Sequence, residues 1–62
     1  MKPTLRYSPA DSSYEGLVMT SEIEHLYKSM DGESTFIRLR SGEILESNDS
    51  INTLEARLNS SD

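Results

Sequence analysis

The chain has no cysteine and no tryptophan, a single histidine and a single phenylalanine, and only two prolines and three glycines. Without cysteine there are no disulfide staples and no thiolate metal site, the usual reinforcements of a very small protein. An enzyme needs at least one activated group held by its neighbours, and one histidine among serines that gather in turns and caps offers little for that. The sequence therefore reads as non-enzymatic and free of cofactors. No apolar run approaches the length of a membrane span, and Met1-Lys2-Pro3-Thr4 does not open an export signal. A cytoplasmic location off the membrane is expected, and the glycosylation-type triplets Asn48-Asp49-Ser50 and Asn59-Ser60-Ser61 then have no consequence.

Basic side chains are also scarce. Six Lys and Arg face eleven Asp and Glu, a net charge of -5 that makes nucleic-acid binding unlikely and favours solubility or a basic protein partner. Apolar residues make up 34% of the 62, below the roughly 45–50% of ordinary globular domains. The expectation is one small domain over residues 1–62, with a core at about 4–58 and a frayed tail at 59–62. So thin a core calls for burial against a protein partner or a second copy, and a homodimer is expected.

What is present is a set of short patterned segments. Leu5 and Tyr7 alternate within residues 4–7, a polar turn cluster follows at residues 8–13, and residues 14–19 form a returning strand that Gly16 weakens or bulges. Ile23, Leu26, Tyr27 and Met30 fall at i, i+3, i+4 and i+7, which predicts a helix between Thr20 and Gly32. Ser21 and Glu24 have the spacing of a capping box, and Asp31-Gly32 supplies a stop. Next, two alternating runs meet at Ser41-Gly42; a two-residue turn there sets Arg40 opposite Glu43, Leu39 opposite Ile44 and Arg38 opposite Leu45. In that register Ile37, Leu39 and Ile44 face the core, and Phe36, Arg38, Arg40, Glu43 and Leu45 face outward. A terminal helix buries Ile51, Leu54 and Leu58 and starts among Asn48, Asp49 and Ser50. The fold expected is α+β, two β-hairpins with a central helix and a C-terminal helix (ββαββα).

Phe36, Arg38, Arg40 and Leu45 are the candidate protein interface, since exposed Phe beside Arg is what interface centres favour. The helical stripe Ile23, Leu26, Tyr27 and Met30 is the alternative dimer surface. The same Phe36, Arg38 and Arg40 could stack a base and hold phosphates, which gives a nucleic-acid-binding regulator as a second reading. Glu22 and His25 have the Glu-x-x-His spacing of di-metal bundles, but such a site needs carboxylates from further helices, and a solvated helix face is the simpler account. Glu22, Glu24, Asp31 and Glu33 admit a third reading, an acidic virus-encoded inhibitor of a host protein. Tyr7, Tyr14 and Tyr27 read as core-edge residues with exposed hydroxyls.

Phe36-Ile37-Arg38-Leu39, Ser41-Gly42-Glu43, Ser50-Ile51 and Leu54-Glu55, preceded by the segment from Ile23 to Leu26, resemble the first half of a LytTR-type response-regulator output domain. In length and layout the chain is also similar to the short FlbD-type proteins associated with flagella. The resemblance implies a role in transcription or motility regulation. It carries no DNA contacts over, because the half of the LytTR domain that supplies much of them has no counterpart here. In that family the segment matching Ile23 to Tyr27 is extended, against the helix that spacing predicts. The function expected is a small acidic regulatory or adaptor protein that acts by protein–protein binding.

Overall fold

Residues 3–59 are described by the computed structural model. Along them run β1 (Thr4–Tyr7), β2 (Gly16–Met19), a 3-10 turn (Thr20–Glu22), β3 (Ile23–Lys28), β4 (Thr35–Leu39), β5 (Ile44–Ser47) and α1 (Ile51–Leu58). The architecture is α+β, with β1 and β2 in one antiparallel sheet and β3, β4 and β5 in a second. Among the described residues the only α-helix is the last element, so the central helix expected between Thr20 and Gly32 is replaced by a 3-10 turn and a strand.

The reason is a β-bulge. Ile23 pairs with Leu39 but His25 pairs with Arg38, so two steps along β3 match one along β4 and Glu24 is the extra residue. Past the bulge the strand alternates regularly, Leu26 opposite Ile37 and Tyr27 opposite Phe36. An extra residue turns a spacing of two into three, and Ile23 and Leu26 therefore lie on one face although the chain is extended. They pack against the core while Tyr27 points outward and Met30 stands fully exposed in the next turn. Ser21 and Glu24 form no capping box; Glu24 instead pairs with Arg38. Gly32 does adopt a positive φ of 75°, but it closes the β3–β4 turn, whose Gly32 N–H donates to Ser29 O at 3.0 Å, rather than ending a helix.

The β4–β5 hairpin also differs by one position. Leu39 N–H donates to Glu43 O at 2.8 Å and Gly42 N–H to Leu39 O at 2.9 Å, which leaves Arg40, Ser41 and Gly42 as a three-residue loop with Gly42 at φ 96°. Arg38 therefore faces Ile44 and Ile37 faces Leu45. A one-residue slip exchanges the two faces of a strand. Leu45 packs on the core and Ile44 is 49% exposed, the reverse of the two-residue-turn expectation. Gly16 makes no bulge; the β1–β2 register is continuous, and the Tyr7 ring lies so close over Gly16 that a Cβ there would meet it at 2.7 Å.

The two sheets share one core. Leu5 of β1, Val18 of β2, Ile37 of β4 and Leu54 of α1 are its buried apolar side chains, with Tyr7, Ile23, Leu26, Leu39, Leu45 and Leu58 around them. The chain after β1 crosses to β5, where Asn48 N–H donates to Ser8 O at 2.8 Å and Ala10 N–H to Glu46 O at 3.0 Å. At the opposite side the 3-10 turn leads β2 directly into β3, so the sheets are linked at both ends. Helix α1 opens on Ser50, whose hydroxyl accepts from Thr53 N–H at 3.1 Å. Most of the tail expected to fray, beyond Asn59, lies outside the described residues.

Candidate functional site

The bulge that hides β3 in the sequence also builds the surface of most interest. With Ile23 and Leu26 turned inward, His25 and Tyr27 face outward, beside Arg38 and Phe36 of the neighbouring strand. The Tyr27 ring centre lies 5.3 Å from that of His25 and 5.3 Å from that of Phe36, tilted by 36° and 38°. These are favourable aromatic pair geometries. The β4–β5 hairpin supplies no second aromatic beside Phe36; β3 gives it Tyr27, and His25 beyond.

Arg38 borders this row. Its Nε lies 2.9 Å from Glu24 Oε1, both side chains about half exposed, and the same oxygen is 3.8 Å from His25 Nδ1. The bulge residue thus sets a carboxylate between the arginine and the imidazole. On the far side, Glu46 of β5 is paired with Phe36 and Ile44 with Arg38. The face has an aromatic centre, an aliphatic margin at Ile44 and a mixed-charge rim, the composition of a protein contact surface.

Of the four interface candidates read from sequence, Phe36 and Arg38 stand together on this face. Arg40 leaves it: its N–H donates to Glu22 O and its Nε to Ser21 O, each at 2.8 Å, so it clamps the hairpin loop to the 3-10 turn rather than pairing with Glu43. Leu45 turns to the core. The alternative dimer stripe is not a single surface, since Ile23 and Leu26 are on the core side, Tyr27 is on the aromatic face and Met30 is in a turn. Tyr7 lines the core, whereas Tyr14 is 80% exposed and is no core-edge residue.

Glu22 lies in the 3-10 turn and His25 on the sheet, so the helical Glu-x-x-His geometry does not form. Among the described residues no group of three or more His, Cys, Asp or Glu side chains is placed to hold a metal ion. Glu22 and Glu24 precede or open β3 while Asp31 and Glu33 follow it, which separates the four acids along the strand. No helix among the described residues is long and apolar enough to cross a membrane.

A second polar assembly ties elements together instead of facing solvent. Thr35 and Ser47, a cross-strand pair, are fully buried, and Thr35 Oγ1 donates to Asp49 O at 2.8 Å. Asp49 Oδ2 accepts from Ser8 N–H at 2.8 Å and from Ser47 Oγ at 3.0 Å. Arg57 Nη1 lies 3.4 Å from that carboxylate and donates to Arg6 O at 2.8 Å. Among the described residues no buried side-chain polar atom lacks a hydrogen-bond partner. No protein-family model, no curated protein and no solved structure matches the chain.

Proposed function

We propose that this is a small, acidic, non-enzymatic regulatory or adaptor protein of the cytoplasm that binds another protein through the outer face of β3 and β4. The observation that carries the reading is the contiguous row His25, Tyr27 and Phe36 beside Arg38, an aromatic cluster held on the sheet with His25 and Tyr27 exposed and Phe36 half-buried. Binding energy concentrates in such aromatic and arginine anchors. A regulatory role in transcription or motility fits the resemblance noted above, and the extended course of Ile23 to Lys28 removes the conflict between that resemblance and the predicted helix.

A nucleic-acid-binding regulator is the second reading, favoured by Tyr27 beside Phe36, since sheet-borne aromatics stack bases. The net charge of -5 and the Glu24 carboxylate already on Arg38 weigh toward protein. Bait pull-downs with wild type and the double variant Tyr27→Ala/Phe36→Ala, both checked for native circular dichroism, test the proposal. Loss of the captured protein from the folded variant supports it. Retention of the same protein overturns it, and capture of nucleic acid with a steep inverse salt dependence moves the assignment to the second reading.

A further inference from the structure

Two arginines meet on the outer face of the N-terminal sheet, the side turned away from Leu5 and Val18. Thr4 and Arg6 alternate onto that face along β1, and Leu17 of β2 stands opposite Arg6. Arg57 of α1 reaches the same place, its Nη1 donating to Arg6 O at 2.8 Å. Thr4, Arg6, Leu17 and Arg57 line a cleft of about 380 Å³, within the size range of small-molecule sites. In a chain of net charge -5 this is a local exception. Another cleft of about 330 Å³ is walled by Asp11, Glu43 and Glu46, and a third of about 340 Å³ by Glu55 among apolar side chains.

Neither guanidinium is exhausted by its protein partners, since each carries five N–H donors. Arg6 Nε lies 3.1 Å from Glu15 Oε2, and the two side chains are 64% and 67% exposed. An ion pair so exposed holds weakly. Arg57 Nη1 lies 3.4 Å from Asp49 Oδ2, long for a charge-assisted bond, because that oxygen already accepts from Ser8 N–H and Ser47 Oγ. The contacts of Nη1 still fix where Arg57 stands, and donors are left over on both arginines.

We infer that this cleft binds a small phosphate monoester, its phosphate between Arg6 and Arg57 and its apolar body over Leu17. Two guanidinium groups call for an oxyanion, which arginine grips through paired N–H donors. A carboxylate has two oxygens and fills one such fork. A phosphate monoester has three terminal oxygens, enough to bridge both arginines and to reach the Thr4 hydroxyl in the same cleft. The phosphate displaces Glu15 from Arg6, whereas Asp49 stays in its junction and keeps Arg57 oriented. The site shares no residue with the aromatic face, so the two assignments stand or fall separately.

NMR of the whole chain, titrated with phenyl phosphate at constant ionic strength and about pH 7.5, where the phosphate is close to a dianion, tests this. Saturable shifts at Thr4, Arg6, Leu17 and Arg57 are expected, with a Kd on the order of 1 mM. Benzoate, which fills one fork, and inorganic phosphate, which leaves Leu17 uncovered, should each bind ~3-fold or more weakly. Arg6→Gln, at an exposed position, should raise the Kd for phenyl phosphate by ~10-fold with the rest of the spectrum unchanged. Glu15→Gln removes the competing carboxylate and should lower it by ~2-fold or more. Phe36→Ala should leave it as it is. No saturation up to ~20 mM, shifts that survive Arg6→Gln, or weaker binding by Glu15→Gln overturns the inference and leaves the aromatic-face reading standing. Benzoate binding as tightly as phenyl phosphate overturns it in favour of a carboxylate site, and inorganic phosphate binding as tightly reduces the cleft to an adventitious anion contact.

Discussion

The Asp49 carboxylate and the Arg57 guanidinium meet at 3.4 Å, and the same carboxylate oxygen holds the backbone of Ser8 and the hydroxyl of Ser47. One side chain thereby connects the chain after β1, the end of β5 and the last turn of α1. Among the described residues the core beneath it has only four buried apolar side chains, so this junction bears a large share of the specificity of the fold.

Asp49→Ala leaves the Ser8 N–H and the Ser47 hydroxyl without their acceptor in a region largely removed from water. The expected cost is about 2–3 kcal/mol of unfolding free energy. Arg57→Ala removes only the more exposed partner and should cost about 0.5–1 kcal/mol. Urea denaturation of both variants checks the order, and equal losses would show that the ion pair, rather than the carboxylate as acceptor, holds the junction.

Deleting Glu24 gives a test that separates strand from helix. In β3 the deletion removes the extra residue of the bulge, leaving Ile23 opposite Leu39 and Leu26 opposite Ile37, and should cost no more than about 1–2 kcal/mol. A helix would instead be rotated by one residue and lose its apolar stripe. Thermal unfolding of the deletion variant decides, a collapsed or unfolded product counting against the bulged strand.

The hairpin register makes a paired prediction. Ile44→Lys lies on the solvent face and should change stability by about 0.5 kcal/mol or less. Leu45→Lys places an ammonium against the core and should cost about 2 kcal/mol or more. The opposite ranking in chemical denaturation would mean that the turn holds two residues rather than three.

The β3–β4 turn should respond to acid at Asp31. Its carboxylate accepts from the Ser29 hydroxyl and from Glu33 N–H at 3.0 Å, and these bonds hold its pKa below the ordinary 3.8, the Ser29 hydroxyl being the larger cause. A depressed carboxylate pKa stabilises the folded turn above the unfolded value, and that contribution disappears as pH falls through the folded one. The Glu33 amide shift should therefore titrate with a midpoint below that of a free aspartate. Ser29→Ala should move it upward; an unmoved midpoint would dismiss the hydroxyl as the cause.

Much of this architecture was legible, and the parts that were not have a common origin. The segments at β1 and α1, the Ser50 cap and the existence of a hairpin around Gly42 follow from local pattern alone. Ile23 and Leu26 misled because a bulge gives an extended chain a helix-like spacing, and Ser21, Glu24 and Gly32 fit helix signals that turns also use. Asp31-Gly32 just before the strand-like residues 35–39 was the available clue, since the same pair is a hairpin signal. Missing β3 meant missing the site, because His25 and Tyr27 join Phe36 only when β3 lies beside β4. The register of the second hairpin escaped for a different reason: Ser41-Gly42 serves a two-residue or a three-residue loop, Gly42 can take a positive φ in either, and what separates them is that Ser41 has no positive φ and that Leu39 N–H donates to Glu43 O.

The crossing of residues 8–10 onto β5, together with the 51-residue separation between Arg6 and Arg57, divides assembly into two stages of unequal difficulty. The three-stranded meander closes through turns of a few residues and can form early, whereas β1 and β2 gain their lasting partners only when the last turn of α1 arrives. Substitutions in the β3–β4 and β4–β5 turns should then govern the rate of folding, and those at Asp49 and Arg57 the rate of unfolding.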